Sequence, residues 1–221
     1  MKKLLFAFSF FFSLALFSCV ESDKDRILRQ VAEWEGREIV FPARPVFTVQ
    51  GRDTVACPSG SSSYRILTYV DSVGCTSCKL QLPNWKELMA EVDSATGGSV
   101  PFLFYFHPKD LKELRYLTRR DGFTYPVCFD EKDELNRLNG FPADMTFQTF
   151  LLDADNRVAA IGNPVHNPDV KRLYLRILTG RADAEADKSY EKENIESRIR
   201  CRFCDDCRLW RLQFTKRCRV V

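Results

Sequence analysis

The chain has 221 residues, of which 45% are hydrophobic and 29% charged, and its formal net charge is +3. This composition excludes a wholly disordered or collagen-like protein and allows one domain of common size with extensions. Nine cysteines stand against two histidines, so thiols are plentiful and imidazole ligands are scarce. The cysteines are therefore the first residues to interpret.

The first nineteen residues have the layout of a bacterial export signal. Two lysines precede an apolar run, Leu4 to Phe17, which is shorter than the roughly 20 residues that a membrane-spanning helix needs. Ser18-Cys19 then resembles a lipobox, which implies cleavage before Cys19 and acylation of the new terminus and its thiol. The alternative is an ordinary cleaved signal in which Cys19 has no role.

We therefore expect a signal peptide over residues 1–18 and a lipid anchor at Cys19. The anchor would hold the protein in the cell envelope, facing the periplasm or in the outer membrane, and Val20 rather than Asp after the cysteine favours the outer membrane. Disulfides persist in such a compartment. Eight thiols remain after acylation of Cys19, an even number that permits full pairing without requiring it.

Beyond Cys19, the hydrophobic pattern divides the chain into a leading segment, one domain and a tail. Residues 19–44 form the leading segment, in which apolar residues at helical spacing predict a helix over 21–35. Residues 45–180 alternate short β-rich runs with amphipathic helical ones. Strands are predicted over 64–70, 100–106, 125–129, 149–152 and 157–161, and helices over 84–94, 110–120, 131–139 and 169–178. This alternation predicts an α/β domain with parallel strand pairs, which a final hairpin turns into a mixed sheet flanked by helices.

Residues 181–221 are predicted to be a weakly structured tail, first polar and then basic. Residues 198–221 carry a net charge of +6 against +3 for the whole chain, so the rest of the protein is acidic. Nucleic acid is not an expected partner of an exported protein. A solvated tail is the simplest interpretation, and attraction to anionic lipid is physically possible.

The tail holds four further cysteines that are candidate metal ligands. Their number could suit zinc or an iron–sulfur cluster. No supporting fold is visible in the sequence, however, and the many arginine side chains nearby cannot act as hydrogen-bond acceptors around a metal site. We expect disulfides or free thiols there and no metal. The weak candidates are Cys201, Cys204, Cys207 and Cys218.

The sharpest motif is Cys75-Thr-Ser-Cys78, which follows a predicted buried strand and a turn at Gly74. A cysteine at a helix start meets unpaired N–H groups and the positive end of the helix dipole, which lower a thiol pKa from about 8.5 into the 3.5–7.5 range. Cys78 lies one turn further on, close enough to form a disulfide. Cys75 is then the exposed nucleophile, and Cys78 is expected to be more buried and to resolve a mixed disulfide.

The motif has three other interpretations. The two cysteines could be half of a zinc site, but no second pair lies nearby in the domain. They could form a static structural disulfide. Ser72 also stands three residues before Cys75 as in peroxidatic sites, but that pattern requires proline at position 68, which is Thr68.

The strand, the Cys75/Cys78 pair with Lys79, the later Pro83 and the hairpin at 149–153 together resemble the thioredoxin fold. The similarity covers about residues 45–180 and is greatest to exported, membrane-tethered TlpA-like thiol–disulfide oxidoreductases. It implies that Cys75 attacks, that Cys78 resolves and that Pro83 kinks the first helix. It also implies protein or small-thiol disulfides as substrates, an electron-donor protein as partner, and no cofactor beyond the redox-active disulfide.

The sequence departs from this family at the loop before the strand 149–152. The family has a cis-proline there that shapes a peptide-docking groove, whereas this chain has Phe147 and Gln148. Because a cis bond before a residue other than proline costs about 2.5–4 kcal/mol, we expect a trans or differently shaped loop. The family's buried acid also lacks a secure counterpart, and Asp71 is not expected to be the proton acceptor.

The remaining cysteines and the histidines receive no part in the chemistry. Cys128 lies in a predicted strand and is expected to be a buried, inert thiol. Cys57 lies in a polar loop and is expected to be exposed, with no obvious partner. His107 and His166 are interpreted as surface or capping residues.

The sequence thus predicts a lipid-anchored, extracytoplasmic thiol–disulfide oxidoreductase that uses Cys75 and Cys78. The alternative is a thioredoxin-fold lipoprotein that binds a partner without catalysis. In that case the Cys75–Cys78 disulfide is structural, or the cysteine-rich tail binds metal.

Overall fold

The computed structural model describes residues 22–180. The predicted signal, Cys19 and the tail cysteines Cys201, Cys204, Cys207 and Cys218 lie outside these residues, so the predictions about them stay predictions. Among residues 22–180, no helix is both long enough and apolar enough to cross a membrane.

Helices and strands follow the predicted alternation. The helices are α1 (Asp23–Trp34), α2 (Thr76–Leu80), α3 (Leu82–Thr96), α4 (Leu111–Arg120), α5 (Glu134–Asn139) and α6 (Pro168–Thr179), with a 3-10 helix over Met145–Phe147. The strands are β1 (Phe47–Val49), β2 (Asp53–Val55), β3 (Arg65–Val70), β4 (Phe102–Phe106), β5 (Val127–Phe129), β6 (Thr149–Leu152) and β7 (Val158–Ile161).

The seven strands form one mixed sheet in the order β2-β1-β5-β4-β3-β6-β7. Strands β3, β4 and β5 are parallel neighbours, while β6 pairs antiparallel with β3 and β7 antiparallel with β6. A β3–α3–β4 crossover is therefore joined to a β6–β7 hairpin and the closing helix α6. This is the arrangement of a thioredoxin-like fold, and the predicted fold class is confirmed.

Large apolar side chains cover both faces of the sheet. In the central strand β4, every residue of Phe102–Phe106 is buried, as expected for a strand with helices on both sides. One face packs under α3, α4 and α6 around Trp85 and Phe104. The other packs under α1 and α5 around Trp34 and Phe150, so the predicted leading helix is part of the folded body.

The β1–β2 hairpin was not predicted from the sequence. Its strands are three residues long, too short to produce a recognisable period. Gln50 and Gly51 turn between them, both with positive φ. The hairpin extends the sheet beyond β5, with Phe47 opposite Cys128, and so covers the edge nearest that cysteine.

Candidate functional site

The two cysteines of the motif lie at the end of the sheet where β3 stops. Val70 ends β3, residues 71–74 form a loop, and Cys75 is the N-cap of α2. Cys75 and Cys78 are joined by a disulfide, with their Cα atoms 5.4 Å apart. The predicted pairing and its place at a helix start are therefore present.

Polar hydrogens surround the sulfur of Cys75. The backbone N–H of Cys78 donates to Cys75 Sγ at 3.3 Å, and the hydroxyl of Ser77 lies 3.4 Å from the same sulfur. Such donors stabilise a thiolate more than a thiol, because hydrogen bonds to a charged acceptor are the stronger ones. When the disulfide is reduced, this setting favours negative charge on Cys75.

Both cysteines of the pair are exposed. Cys75 is exposed as expected, and the expectation that Cys78 is the more buried of the two stays a prediction. The helix α2 is a single turn that lies on the surface. Leu80, which is 2% exposed, is the residue of α2 that enters the core.

A backbone break separates the cysteine helix from α3. Gln81 has φ 40° and ψ 43°, a left-handed conformation that is uncommon for residues other than glycine. Its carbonyl accepts the N–H groups of Asn84 and Trp85 at 3.0 and 3.2 Å. Pro83 stands in the first turn of α3, where a missing N–H costs nothing, so the turn is made at Gln81 and Pro83 follows it.

The carboxylate of Asp71 joins three segments of the chain, one of which is the cysteine helix. Asp71 accepts hydrogen bonds from Lys79 Nζ at 2.5 Å, from Gln148 Nε2 at 2.8 Å and from the N–H of Val73 at 2.7 Å. Lys79 and Asp71 side chains are each only 14% exposed. The loop after β3, the cysteine helix and the loop before β6 therefore meet at one group.

The charge state of Asp71 follows from these contacts. Burial alone would raise the pKa of Asp71, but the hydrogen bonds from Lys79, Gln148 and Val73, together with the Lys79 charge, lower it below its usual value. The carboxylate is therefore ionised at neutral pH and occupied by donors. This environment suits a structural anchor better than a proton acceptor.

The loop before β6 is trans and compact. All described peptide bonds are trans, and residues Met145–Phe147 wind into the 3-10 helix that precedes Gln148. Gln148 is only 4% exposed, and its amide also donates to the carbonyl of Pro142 at 2.9 Å. A polar side chain directed inward thus stands at the position where the resembled family has a proline.

A contact on the other side links the cysteine helix to α4. The hydroxyl of Thr76 donates to Glu113 Oε2 at 3.2 Å. The motif itself predicts that a hydroxyl of Thr76 or Ser77 hydrogen-bonds the thiolate, and Ser77 lies at that distance. The roles of Gln148 and Glu113 could not be read from sequence, because each depends on a partner that is distant along the chain. Only the unusual identity of residue 148 was visible.

The other described cysteines lie away from this chemistry. Cys128 is buried, and burial together with the charge of Asp130 raises its pKa to about 12. Cys57 is an exposed residue, although burial of its sulfur raises the pKa of the thiol and the charge of Arg65 offsets part of that effect. Both placements agree with the predictions.

Neither histidine approaches the disulfide through a described contact. His107 follows β4, and its Nδ1 lies 2.9 Å from the carbonyl of Asp130. Within residues 22–180, no group of three or more His, Cys, Asp or Glu side chains is placed to hold a metal ion.

No family model and no curated protein matches the sequence. Among solved structures, the chain is similar to a Bacteroides thetaiotaomicron protein proposed to be a protein disulfide isomerase, with 14% identity, a TM-score of 0.45, and 65% of this chain and 87% of the other covered.

Two further solved structures have similar scores. A thioredoxin-like protein studied in its oxidised form has 11% identity, a TM-score of 0.45 and coverage of 68% and 99%. Xanthomonas campestris peroxiredoxin Q has 16% identity, a TM-score of 0.43 and coverage of 66% and 98%. Scores at this level are too low to transfer an activity, so a function has to rest on the site itself.

Proposed function

We propose that this protein is an extracytoplasmic thiol–disulfide oxidoreductase whose active group is the Cys75/Cys78 dithiol. One observation carries the proposal: the Cys75–Cys78 disulfide is exposed at the start of a one-turn helix, with the Cys78 N–H and the Ser77 hydroxyl directed at the sulfur of Cys75. A disulfide that only staples a fold gains nothing from this exposure, whereas a reacting one requires it.

The chemistry begins from the reduced pair. The Cys75 thiolate attacks one sulfur of a substrate disulfide, the Cys75–substrate bond forms, and the first substrate thiolate leaves and takes up a proton. The Cys78 thiolate then attacks Cys75 Sγ and releases the second substrate thiol. Two electrons have passed to the substrate, and the Cys75–Cys78 disulfide has formed.

A thiol donor completes the cycle by the reverse exchange. Its thiolate opens the Cys75–Cys78 disulfide, and a second donor thiol releases the reduced pair with formation of the donor's disulfide. We assign this donor to another protein or to a small thiol. The direction of net transfer is set by the potentials of donor and substrate.

Location and anchoring belong to the same proposal. The export-like residues 1–18 and the lipobox-like Cys19 support a lipid anchor in the cell envelope. Mass spectrometry of the membrane fraction tests it: an N-terminal peptide beginning at an acylated Cys19 supports the anchor, and an unmodified or uncleaved N-terminus rejects it.

Turnover of a neutral small disulfide, bis(2-hydroxyethyl) disulfide, tests the activity directly. Glutathione serves as reductant, and its oxidation is followed through glutathione reductase and NADPH. We expect the wild type to accelerate the exchange and Cys75→Ser to fall to the uncatalysed rate. Cys57→Ser is the matched control, because Cys57 is also an exposed cysteine but is free and lies outside the motif, and it should retain full activity.

The opposite outcome has a clear meaning. If Cys75→Ser turns over as fast as the wild type, the disulfide is structural and the protein is better described as a binding lipoprotein. Circular dichroism spectra that match between the wild type and the variant exclude misfolding as the cause of a loss.

A further inference from the structure

The loop before β6, Asp144–Gln148, is connected to the cysteine helix. The carbonyl of Gln148 accepts the N–H of Tyr69 at 2.9 Å, and its amide reaches Asp71. Asp71 in turn holds Lys79, which follows Cys78 directly. The loop is thus one carboxylate away from the cysteine helix.

Every backbone N–H of three successive loop residues is already used inside the chain. The N–H of Thr146 donates to Asp144 Oδ1 at 3.0 Å. The N–H of Phe147 donates to the Asp144 carbonyl at 3.0 Å, and that of Gln148 to the Met145 carbonyl at 3.3 Å. The residues 146–148 therefore have no free main-chain N–H that could bind a peptide.

Carbonyl groups of the loop also accept hydrogen bonds from within the chain. The carbonyl of Thr146 accepts the N–H of Asn163 at 2.9 Å, and that of Gln148 accepts Tyr69. An extended peptide gains affinity at a protein edge chiefly by pairing with unpaired main-chain N–H and C=O groups. In the Asp144–Gln148 loop, four of the five carbonyls and three of the five N–H groups are bonded within the chain, so few main-chain groups remain for a peptide.

The surface formed by the loop before Cys75 is open. Val73 is 71% exposed, and a Cβ placed on Gly74 would meet nothing nearer than Lys79 Cε at 4.0 Å. The neighbouring cation, Lys79, is neutralised by Asp71. A small, neutral disulfide can reach Cys75 here without any groove.

We infer that the dithiol acts on low-molecular-weight disulfides rather than on extended polypeptides, because most main-chain groups of the Asp144–Gln148 loop, which Asp71 joins to the cysteine helix, are already bonded within the chain. This inference rests on the proposed function and names the substrate class of the same site. The atoms and electrons balance as in the exchange above: a small disulfide gains two electrons from the dithiol and leaves as two thiols.

Three substrates with one kind of reacting bond test the inference. The first is bis(2-hydroxyethyl) disulfide. The second is a short unstructured peptide whose single cysteine carries a 2-mercaptoethanol mixed disulfide, and the third is the same peptide with N-methylated amides on both sides of that cysteine. Reduced full-length protein is mixed with each, and the rate of Cys75–Cys78 disulfide formation gives a second-order rate constant.

We expect the peptide to react no more than about threefold faster than the small disulfide, and N-methylation to leave its rate unchanged, since no main-chain hydrogen bond is formed. A peptide advantage above about tenfold that N-methylation removes would overturn the inference. That result would leave the oxidoreductase proposal intact, whereas failure of all three substrates to oxidise the dithiol would reject the proposed function itself.

A variant examines the loop directly. Asp144→Ala removes the acceptor of the Thr146 N–H, so we expect the unmethylated peptide to gain about two- to tenfold over the small disulfide. Asp153→Ala is the matched control, because Asp153 makes the same kind of turn bond, accepting the N–H of Asp155 at 2.9 Å, at the other end of β6. If the ratio of the peptide rate to the small-disulfide rate shifts equally in both variants, or in neither, the role of the loop is rejected.

Discussion

Cys75 and Cys128 carry the same side chain in opposite surroundings. Cys75 lies at the carboxyl end of β3, exposed, at the N-terminus of α2. Cys128 lies inside β5, 6% exposed, opposite Tyr105 on one side and Phe47 on the other. The first setting favours a thiolate, and the second raises the pKa of the thiol to about 12. Backbone position, rather than residue type, decides which cysteine can react.

The two regions are also held together by different forces. Around Cys128, aromatic packing dominates, with the Phe47 and Tyr105 rings in edge-to-face contact at 5.4 Å between centroids. At the cysteine helix, Asp71 joins three segments by polar contacts. Apolar packing keeps water away from Cys128, whereas a polar anchor allows the dithiol to stay exposed while its helix stays in place.

The largest expected effect is a contrast in thiol reactivity. In the reduced folded protein, Cys128 should react with iodoacetamide about 1,000-fold more slowly than Cys128 in the urea-unfolded chain, because its pKa rises from 9.0 to about 12. Cys75 should react faster than Cys57 and Cys128. Peptide mapping by mass spectrometry after timed alkylation measures each rate.

The ratio of the Cys128 alkylation rates in the unfolded and folded chain should also depend on pH. Below about pH 9 both forms of Cys128 gain thiolate about tenfold per pH unit, so the ratio of their rates is constant. Above that, the unfolded thiol is saturated while the folded one continues to ionise, and the gap closes as the pH approaches 12. A folded Cys128 that reacts as fast as the unfolded one at neutral pH would remove the contrast.

The second effect concerns the polar anchor. Asp71→Asn should lower the free energy of unfolding by about 1–3 kcal/mol, because Lys79 then loses its charged partner in a half-buried setting. Urea unfolding of the oxidised protein measures it. Asp169→Asn is the control, since its pair with Arg172 is exposed, and it should cost no more than about 0.5 kcal/mol.

The pH dependence separates the anchor from a packing effect. The pKa of Asp71 is lowered in the folded state, so the unfolded state binds the proton more tightly. The stabilisation by Asp71 is therefore present above its ordinary pKa of 3.8 and is lost as the pH falls through the lower folded value. The difference between wild type and Asp71→Asn should shrink below about pH 4, and a difference that does not depend on pH would contradict the assignment.

The smallest effect tests the hydroxyl beside the nucleophile. Ser77→Ala removes the group 3.4 Å from Cys75 Sγ, and we expect the alkylation rate of reduced Cys75 at neutral pH to fall by about two- to fivefold. Ser72→Ala serves as the control in the preceding loop. Equal rates for Ser77→Ala and wild type would assign the thiolate stabilisation to the Cys78 N–H and the helix end alone.

Much of the architecture could be read from the sequence because its signals are local. A buried strand such as β4 is recognised by its run of five apolar residues. An amphipathic helix such as α4 is recognised by the period of its apolar residues. The motif itself was visible because two cysteines at this spacing can meet across one helical turn. The β1–β2 hairpin escaped because three residues carry no period.

The break after the cysteine helix could not be predicted for a related reason. The resemblance implied a first helix kinked at Pro83, but the left-handed Gln81 ends α2 after one turn. The sequence marks this break only through Pro83, two residues later. Whether a proline kinks a helix or opens a new one depends on the backbone of the residues before it, which local propensity does not determine.

The sequence by itself determined the alternation of strands and helices, the buried position of Cys128 and the place of the Cys75/Cys78 pair at a helix start. These depend on the spacing of apolar residues and on contacts within one turn. Only the tertiary structure decided that Gln148 and Lys79 meet at Asp71 and that the loop before β6 is closed upon itself. These contacts join residues up to 77 positions apart, and the direction of a polar side chain is set by whichever partner the fold brings within hydrogen-bonding distance.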